Sequence, residues 1–381
     1  MLRLGIIGAG GIASLHTHNI LSGKCPEVQL TAMADRKESR REWIRATVPD
    51  AAVFCEGSDL IASDTCDAVL IATPHYQHPT LAIEAFRHGK HVLCEKPAGV
   101  YTLQVRDMIA EADKHPELTF GMMFNQRTNC VYRKAKELID SGALGEIKRM
   151  IWVVTDWYRT QSYYDAGAWR ATWDGEGGGV LLNQCPHQLD LLPVRVRAAC
   201  HEGKWHDIEV EDDVTAYLEF ANGATGTFIA STGDALGENR LEIIGTRARI
   251  RIENDQLTLD TLSVDERDWC PVCKEPFGVP DIQHEIVQTD GENPQHAGVL
   301  NAFAAHILHG TPLVADGREG IRGLMLSNAM HLSSWTNQTV SLPIDEELFL
   351  KLLNEKRRTS RRKDEVEAAI DVSGSFGSTR K

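Results

Sequence analysis

The sequence predicts an α/β protein. A doubly wound parallel sheet occupies the N-terminal third, and an α+β domain with an open, mostly antiparallel sheet follows it. Three observations lead there. Apolar strand-like runs alternate with helical segments over the first 124 residues. A glycine-rich turn, Gly8-Ala9-Gly10-Gly11-Ile12-Ala13, joins the first run to the first helix. From about residue 145 the strand candidates come one after another instead of alternating with helices.

Leu2–Ile7 reads as a buried strand, Gly8–Gly11 as a turn and Ile12–Leu21 as a helix. Val28–Ala34 is a second strand, Arg36–Val48 a helix, Ala51–Phe54 a short strand and Ala68–Ala72 a fully apolar one. Pro79–Arg87 is helical and Gly89 suits the position just past its end. His91–Leu93 is the next strand, Thr102–Lys114 a helix and Thr119–Met123 a strand. Apolar strands between helices indicate a parallel sheet covered on both faces. Beyond it, Glu146–Trp157 is a long strand, and a helix is expected over Val180–Arg197. Strands are expected at Val214–Phe220, Thr225–Ser231, Leu241–Ile244 and Ala248–Ile252, then helices at Val299–Leu308 and Ile321–Trp335. These elements divide the chain into a nucleotide-binding unit over 1–124, an α+β unit over 125–355 and a disordered tail over 356–381.

With 381 residues, 42% hydrophobic and 25% charged, the chain has ample material for a core. A formal charge of −14 argues against nucleic acid and anionic membranes as partners. No apolar run approaches the ~20 residues of a membrane span. Nine scattered cysteines and the absence of a visible signal peptide lead to an expectation of reduced thiols in a cytoplasm. Cys270-x-x-Cys273 is a single pair without the further ligands zinc needs, and no metal is expected.

The glycine turn fits a dinucleotide fingerprint in the context that gives it meaning, closing a strand and opening a helix. Gly8 allows the tight turn, Gly10 lets the backbone approach a pyrophosphate, and Ala13 permits close helix–strand packing. Gly11 and Ile12 open the helix whose free N–H groups would face the phosphates. Asp35 ends the second strand where a carboxylate can accept from ribose hydroxyls and repel a 2′-phosphate, which favours NAD. The adjacent Arg36 keeps NADP possible. Thr73 and Pro74 end the fourth strand on the cofactor side, and His75 and His78 lie just beyond as nicotinamide-side or solvated residues.

Cys94-Glu95-Lys96-Pro97 follows the fifth strand. Glu95 and Lys96 thereby fall beside the cofactor, and Pro97 holds the Lys96 backbone extended. Glycines at 175, 177, 178 and 179 read as a flexible lead-in to a helix. On that helix Asn183, His187 and Asp190 fall at i, i+4 and i+7, on one face. The amide can hold a substrate hydroxyl and the imidazole can move a proton, whereas Asp190 reads as structural. Between Trp152 and Trp173 lie four of the eight tryptophans, with Tyr158, Tyr163, Tyr164, Arg159 and Arg170. Flat aromatic faces with polar rims suit a sugar ring, and Tyr158, Trp169 and Arg170 are the expected substrate contacts.

These motifs together resemble the Gfo/Idh/MocA family of glucose-fructose oxidoreductase and inositol dehydrogenase. The resemblance runs through the glycine turn, Ala72-Thr73-Pro74 with His78, Gly89 to Pro97, and Gly177 to Asp190. It implies a Rossmann domain, NAD(P)-linked redox chemistry on sugars and polyols, a catalytic role for Lys96 and for His187, and a cis Lys96–Pro97 bond. The family usually carries an aspartate where this chain has Asn183. The function expected is an NAD(P)-dependent dehydrogenase acting on a secondary alcohol of a sugar, glycoside or cyclitol. A glycosidase or lyase that recycles NAD through transient sugar oxidation, and a non-enzymatic NAD(H) sensor, are the alternatives. The open second sheet has a face to cover, so a homo-oligomer, dimer or tetramer, is expected.

Overall fold

The first sheet is built from strands that carry few polar side chains. In the computed structural model, which describes residues 1–189, 193–361 and 363, six strands pair in parallel. They are β1 (Leu2–Ile7), β2 (Val28–Ala34), β3 (Ala52–Phe54), β4 (Ala68–Ile71), β5 (His91–Cys94) and β6 (Phe120–Met122), in the order β3-β2-β1-β4-β5-β6. Helices α1 (Gly11–Leu21), α2 (Glu38–Thr47), α3 (Gly57–Ala62), α4 (His78–Arg87) and α5 (Thr102–Ala112) connect them. Every residue of β4 is fully buried, as a strand covered on both faces requires. The strand order reverses between β1 and β4, so a crevice opens at their carboxyl ends, where doubly wound sheets bind ligands.

After α6 (Cys130–Asp140) come β7 (Ile147–Val154) and α7 (Gln161–Asp165). Then follow β8 (Arg195–Glu202), β9 (Glu211–Glu219), β10 (Thr225–Ser231), β11 (Asn239–Gly245), β12 (Ala248–Glu253) and β13 (Gln256–Leu262). The rest is α8 (Glu266–Trp269), β14 (Ile282–Ile286), α9 (Gln295–His309), α10 (Gly320–Thr336), β15 (Val340–Ser341) and α11 (Glu346–Arg358). The nine strands form one sheet in the order β14-β13-β12-β11-β7-β10-β9-β8-β15, antiparallel except where β7 meets β10. Helix α10 packs on β8, and Ser333 and Ser334 accept from the backbone N–H of Ala198 (2.9 Å) and Cys200 (3.0 Å). Asn328 on the same helix joins the two sheets. Its amide donates to Val100 O (3.0 Å) and accepts from Thr102 N (3.2 Å), and all three groups are buried.

Several expectations change. The described residues of Val180–Arg197 do not form a continuous helix. Two turns run from Gly179 to Leu189, and β8 starts at Arg195. Pro186 is the cause, since it has no N–H for the Leu182 carbonyl and disfavours helical backbone before it. Asp190 lies outside the described residues. The glycines ahead of these turns are tightly packed, not a flexible lead-in: Gly177 has φ +81°, and a Cβ on Gly179 would sit 1.9 Å from Glu211 O. The expected tail is helical through Arg358 and packed, with Lys356 bonded to Glu202 and Arg357 to Asp174. Residues 364–381 lie outside the description. Helix α9, from the second unit, contributes Leu300, Phe303 and Ala304 to the cluster that holds β1 and β2.

Gly179→Ala should cost about 3 kcal/mol, the upper end for forcing extra volume into a packed site, because the obstacle is backbone. Thermal unfolding checks this, and a stability within experimental error of the parent would count against the packing described.

Candidate active site

One cavity of about 560 Å³ runs from the carboxyl end of β2 to the segment between β7 and β8. At its start the backbone turns sharply, with Gly8 at φ +91°, and a Cβ there would meet Ala72 O at 2.6 Å. A Cβ on Gly10 would meet nothing within 4 Å, so open space faces the N-terminus of α1, which has no side-chain cap. Gly11 and Ile12 also line this end. Asp35 accepts from Ala9 N (2.7 Å) and Lys37 N (2.8 Å), which ties β2 to the turn. Arg36 pairs with Glu56 (2.8 Å), and Arg40 donates to Ala9 O (2.6 Å) beneath the same wall.

Further in, Thr73, Pro74, His75 and His78 line the cavity. The Thr73 hydroxyl is buried without a partner, as a group awaiting a ligand would be. The two ring nitrogens of His78 lie 2.7 Å from Thr73 O and Pro97 O, so the imidazole links the β4 loop to the Lys96 loop. Burial pushes the His78 pKa below its usual value against those two carbonyls, and a neutral ring donates to one of them at a time. His75 faces Glu176 O at 3.1 Å and packs edge-on to Trp169, and burial pushes it well below the ordinary imidazole range. Among the described residues no three His, Cys, Asp or Glu side chains gather as a metal site.

The Lys96–Pro97 bond is cis. Glu95 is buried against His16 (2.7 Å) and accepts from Lys96 N (3.2 Å). Burial raises its pKa, but the His16 bond and the charges of His16, His296 and Lys96 outweigh that and leave it at about 2. Lys96 Nζ crosses to the second sheet's side and donates to Asn183 O at 2.7 Å. Burial, with Arg170 and Arg159, lowers the Lys96 pKa, while Glu95 and Glu176 oppose the shift.

Asn183 and His187 share the cavity wall with Lys96. The turns that carry them hang on Glu211, whose carboxylate accepts from Gly179 N (2.9 Å) and Leu181 N (3.0 Å) and lies 2.9 Å from His331. The Asn183 amide N–H donates to the buried Glu176 carboxylate, which also accepts from Ala171 N (2.6 Å). The Asn183 side-chain Oδ1, distinct from the backbone oxygen that Lys96 holds, is therefore the amide atom left for a ligand, an acceptor suited to a hydroxyl. Burial raises the Glu176 pKa, against Arg170, Ala171 N–H and Asn183. His187 packs edge-on to Phe124, and its Nδ1 is buried without a partner. Burial, reinforced by Lys96 and His296, holds its pKa well below the usual value, so the ring is neutral at neutral pH.

Trp169 and Arg170 line the cavity as expected. Tyr158 does not: it lies outside the lining with 45% of its surface exposed. Trp152 and Trp173 also lie elsewhere, Trp152 bonded to Asn239 in the sheet and Trp173 packed on His331 and Trp335. The tyrosine that does line the cavity is Tyr163, whose hydroxyl accepts from Arg170 (2.7 Å) and Gln184 (3.4 Å). Sequence reasoning missed Glu176 and Gln184. Glu176 stood inside the glycine run, where an acid has no local role, and that was the available signal.

The turn, the open space at Gly10, the Asp35 bonds and the unpartnered Thr73 hydroxyl fit a dinucleotide. Together with a second-sheet wall bearing polar groups, they define an oxidoreductase of the NAD(P)-binding Rossmann class. The profile described as "Oxidoreductase family, NAD-binding Rossmann fold" matches residues 2–122, and that of the "GFO/IDH/MocA C-terminal domain" matches residues 132–251. The chain belongs to the Gfo/Idh/MocA family. Myo-inositol 2-dehydrogenase of Thermotoga maritima is 24% identical over 355 residues, covering 90% of this chain and 98% of that protein. The NADP-dependent D-xylose 1-dehydrogenase of Haloarcula marismortui is 27% identical over 307 residues, covering 78% and 80%. The structure of the WlbA dehydrogenase of Bordetella pertussis, a complex with NADH and UDP-GlcNAcA, aligns with TM-score 0.75 and 25% identity over 90% of this chain and 99% of that one. No helix among the described residues is long and apolar enough to cross a membrane.

Asn183→Asp should set a second carboxylate against buried Glu176, and the pair should hold a proton that the unfolded chain releases. A pKa raised by folding contributes stability that is lost as pH rises, so relative to the parent the variant's Tm should fall as pH climbs from the ordinary carboxylate range through the raised pKa of the pair. Parallel Tm profiles for the two proteins would contradict this.

Proposed function

We propose that this chain is an NAD-linked dehydrogenase acting on a secondary alcohol of a sugar, glycoside or cyclitol. The observation that carries the reading is the meeting of Lys96 and His187 on one cavity wall, beyond the glycine turn. NAD bound along that turn would supply the hydride acceptor. Gly8, Gly10 and the α1 N-terminus would hold its phosphates, and Asp35 would accept from its ribose. Lys96 donates to the reacting oxygen and stabilises charge as the carbon–hydrogen bond breaks. His187, held neutral by burial, accepts the hydroxyl proton. Asn183 accepts from a neighbouring hydroxyl, and the rings of Trp157 and Trp169 flank the sugar. Relatives that act on inositol and xylose support this substrate class. The amide at Asn183, where the family usually has an acid, keeps the NAD-recycling glycosidase or lyase as a second reading. A dimer or tetramer is proposed as well, since the nine-stranded sheet ends in open edges at β14 and β15.

The decisive assay is a panel of sugars, cyclitols and glycosides read as NADH or NADPH formation, with NAD expected to be preferred. One substrate should accumulate NADH, whereas a recycling enzyme would convert glycoside without net NADH. Lys96→Ala should lower kcat by about 10²–10⁴-fold and leave NAD affinity nearly unchanged. Near-parental turnover would remove Lys96 from the chemistry.

The acid limb of kcat/KM should lie below the ordinary imidazole range, because burial lowers the His187 pKa. His187→Ala should lose turnover and that limb together. A limb that persists unchanged in the variant would assign the base elsewhere.

A further inference from the structure

The substrate end of the cavity carries more positive charge than hydride transfer to a neutral polyol needs. Lys96, Arg159 and Arg170 all line it, and its one lining carboxylate, Glu95, is committed to His16. Arg159 donates to Tyr158 O (3.0 Å) and Arg170 to the Tyr163 hydroxyl (2.7 Å), both neutral acceptors. Arg159 Nε is buried without a partner. Glu176 feels the charge of Arg170 but is turned toward Ala171 N and the Asn183 amide and is itself pushed toward its neutral form by burial.

Both guanidinium groups are held by rings. They lie within 5.0 Å of the Tyr163 centroid, Arg170 is 4.7 Å from Trp169, and Arg159 is 5.4 Å from Trp157. A stacked guanidinium is fixed in plane and keeps edge N–H groups free in a fork that matches a carboxylate. Two such groups without acidic partners, in a partly desolvated pocket, are costly unless an anion arrives. The cofactor's pyrophosphate is served by the glycine turn at the other end of the cavity. We infer that Arg159 and Arg170 form an anion subsite, and that the substrate is an acidic sugar or cyclitol bearing a carboxylate on the ring that is oxidised. This rests on the dehydrogenase reading for the reaction but not for the subsite.

The test uses the full chain with matched pairs: D-glucuronate with D-glucose, D-galacturonate with D-galactose, and UDP-glucuronate with UDP-glucose, plus glucose 6-phosphate. Oxidation is read as NADH formation. Members that are not oxidised are titrated into the NADH-loaded protein and read by cofactor fluorescence. The acid should be favoured by about 10–100-fold in at least one pair, as a charge-assisted contact predicts. The free and nucleotide-linked acids show which form of carboxylate is taken. Arg159→Met and Arg170→Met should each remove most of that preference, chiefly through KM or Kd, and Arg170→Lys should recover part of it. NADH affinity should stay near the parental value in all three variants. Equal handling of both members of every pair overturns the inference, as does selection of glucose 6-phosphate over the acids or an acid preference that survives both Met substitutions. Arginine-dependent binding of acids without oxidation would uphold the subsite and sink the dehydrogenase reading. Oxidation of neutral polyols with no charge preference would do the reverse.

Discussion

The bond between Glu211 and the turns at Gly179–Leu189 sets the position of Asn183, Gln184 and His187 on the cavity wall. A buried carboxylate accepts two backbone N–H groups there, while its own backbone carbonyl accepts from Val180. Burial raises its pKa, but His331 and the N–H donors prevail and keep it below the usual value, so it stays ionised. A buried charge satisfied this way holds geometry tightly, because any displacement leaves it unpaired. Gly179 is the residue that lets the backbones approach so closely. From this anchor the chain carries the Asn183 carbonyl to Lys96, and so aligns two domains across the cofactor crevice.

Three buried carboxylates surround the cavity, and their neighbours give them different characters. Glu95 sits beside His16 and is strongly acidic. Glu211 has His331 and remains charged. Glu176 has the charge of Arg170, one N–H and an amide, and burial prevails. The cavity's charge therefore depends on partners behind the wall as much as on the residues that face the ligand.

The first sheet was legible because buried parallel strands leave a plain apolar signature and the glycine turn adds a local one. Asp35, Thr73, Lys96 and His187 could be placed from their positions at strand ends or by their spacing. The Val180–Arg197 segment misled because i, i+4 spacing reads as helix, while Pro186 quietly forbids one. Asn183 and His187 still share the cavity lining, since turns bring residues four apart together as well. Strands β13, β14 and β15 were not foreseen: β14 is exposed throughout, and β15 has only two residues. Tyr158 and Tyr163 were equivalent in an aromatic run. Only the bend into α7 decides which one faces inward, and such a bend depends on tertiary contacts. Glu176 could not be seen as a partner of Asn183, because nothing local joins them.

Helix α9 makes the two ends of the chain interdependent. Phe303 packs against the site of Gly121 at the edge of the first sheet, and Leu300 and Ala304 fill the layer over β1. During synthesis, the nucleotide-binding unit therefore emerges from the ribosome well before its own core can close. The last of its six strands ends at Met122, whereas α9 spans Gln295–His309, so an apolar surface stays uncovered while the intervening chain is made. Completion of the cofactor-binding scaffold is in this sense a late event, coupled to the completion of the whole polypeptide.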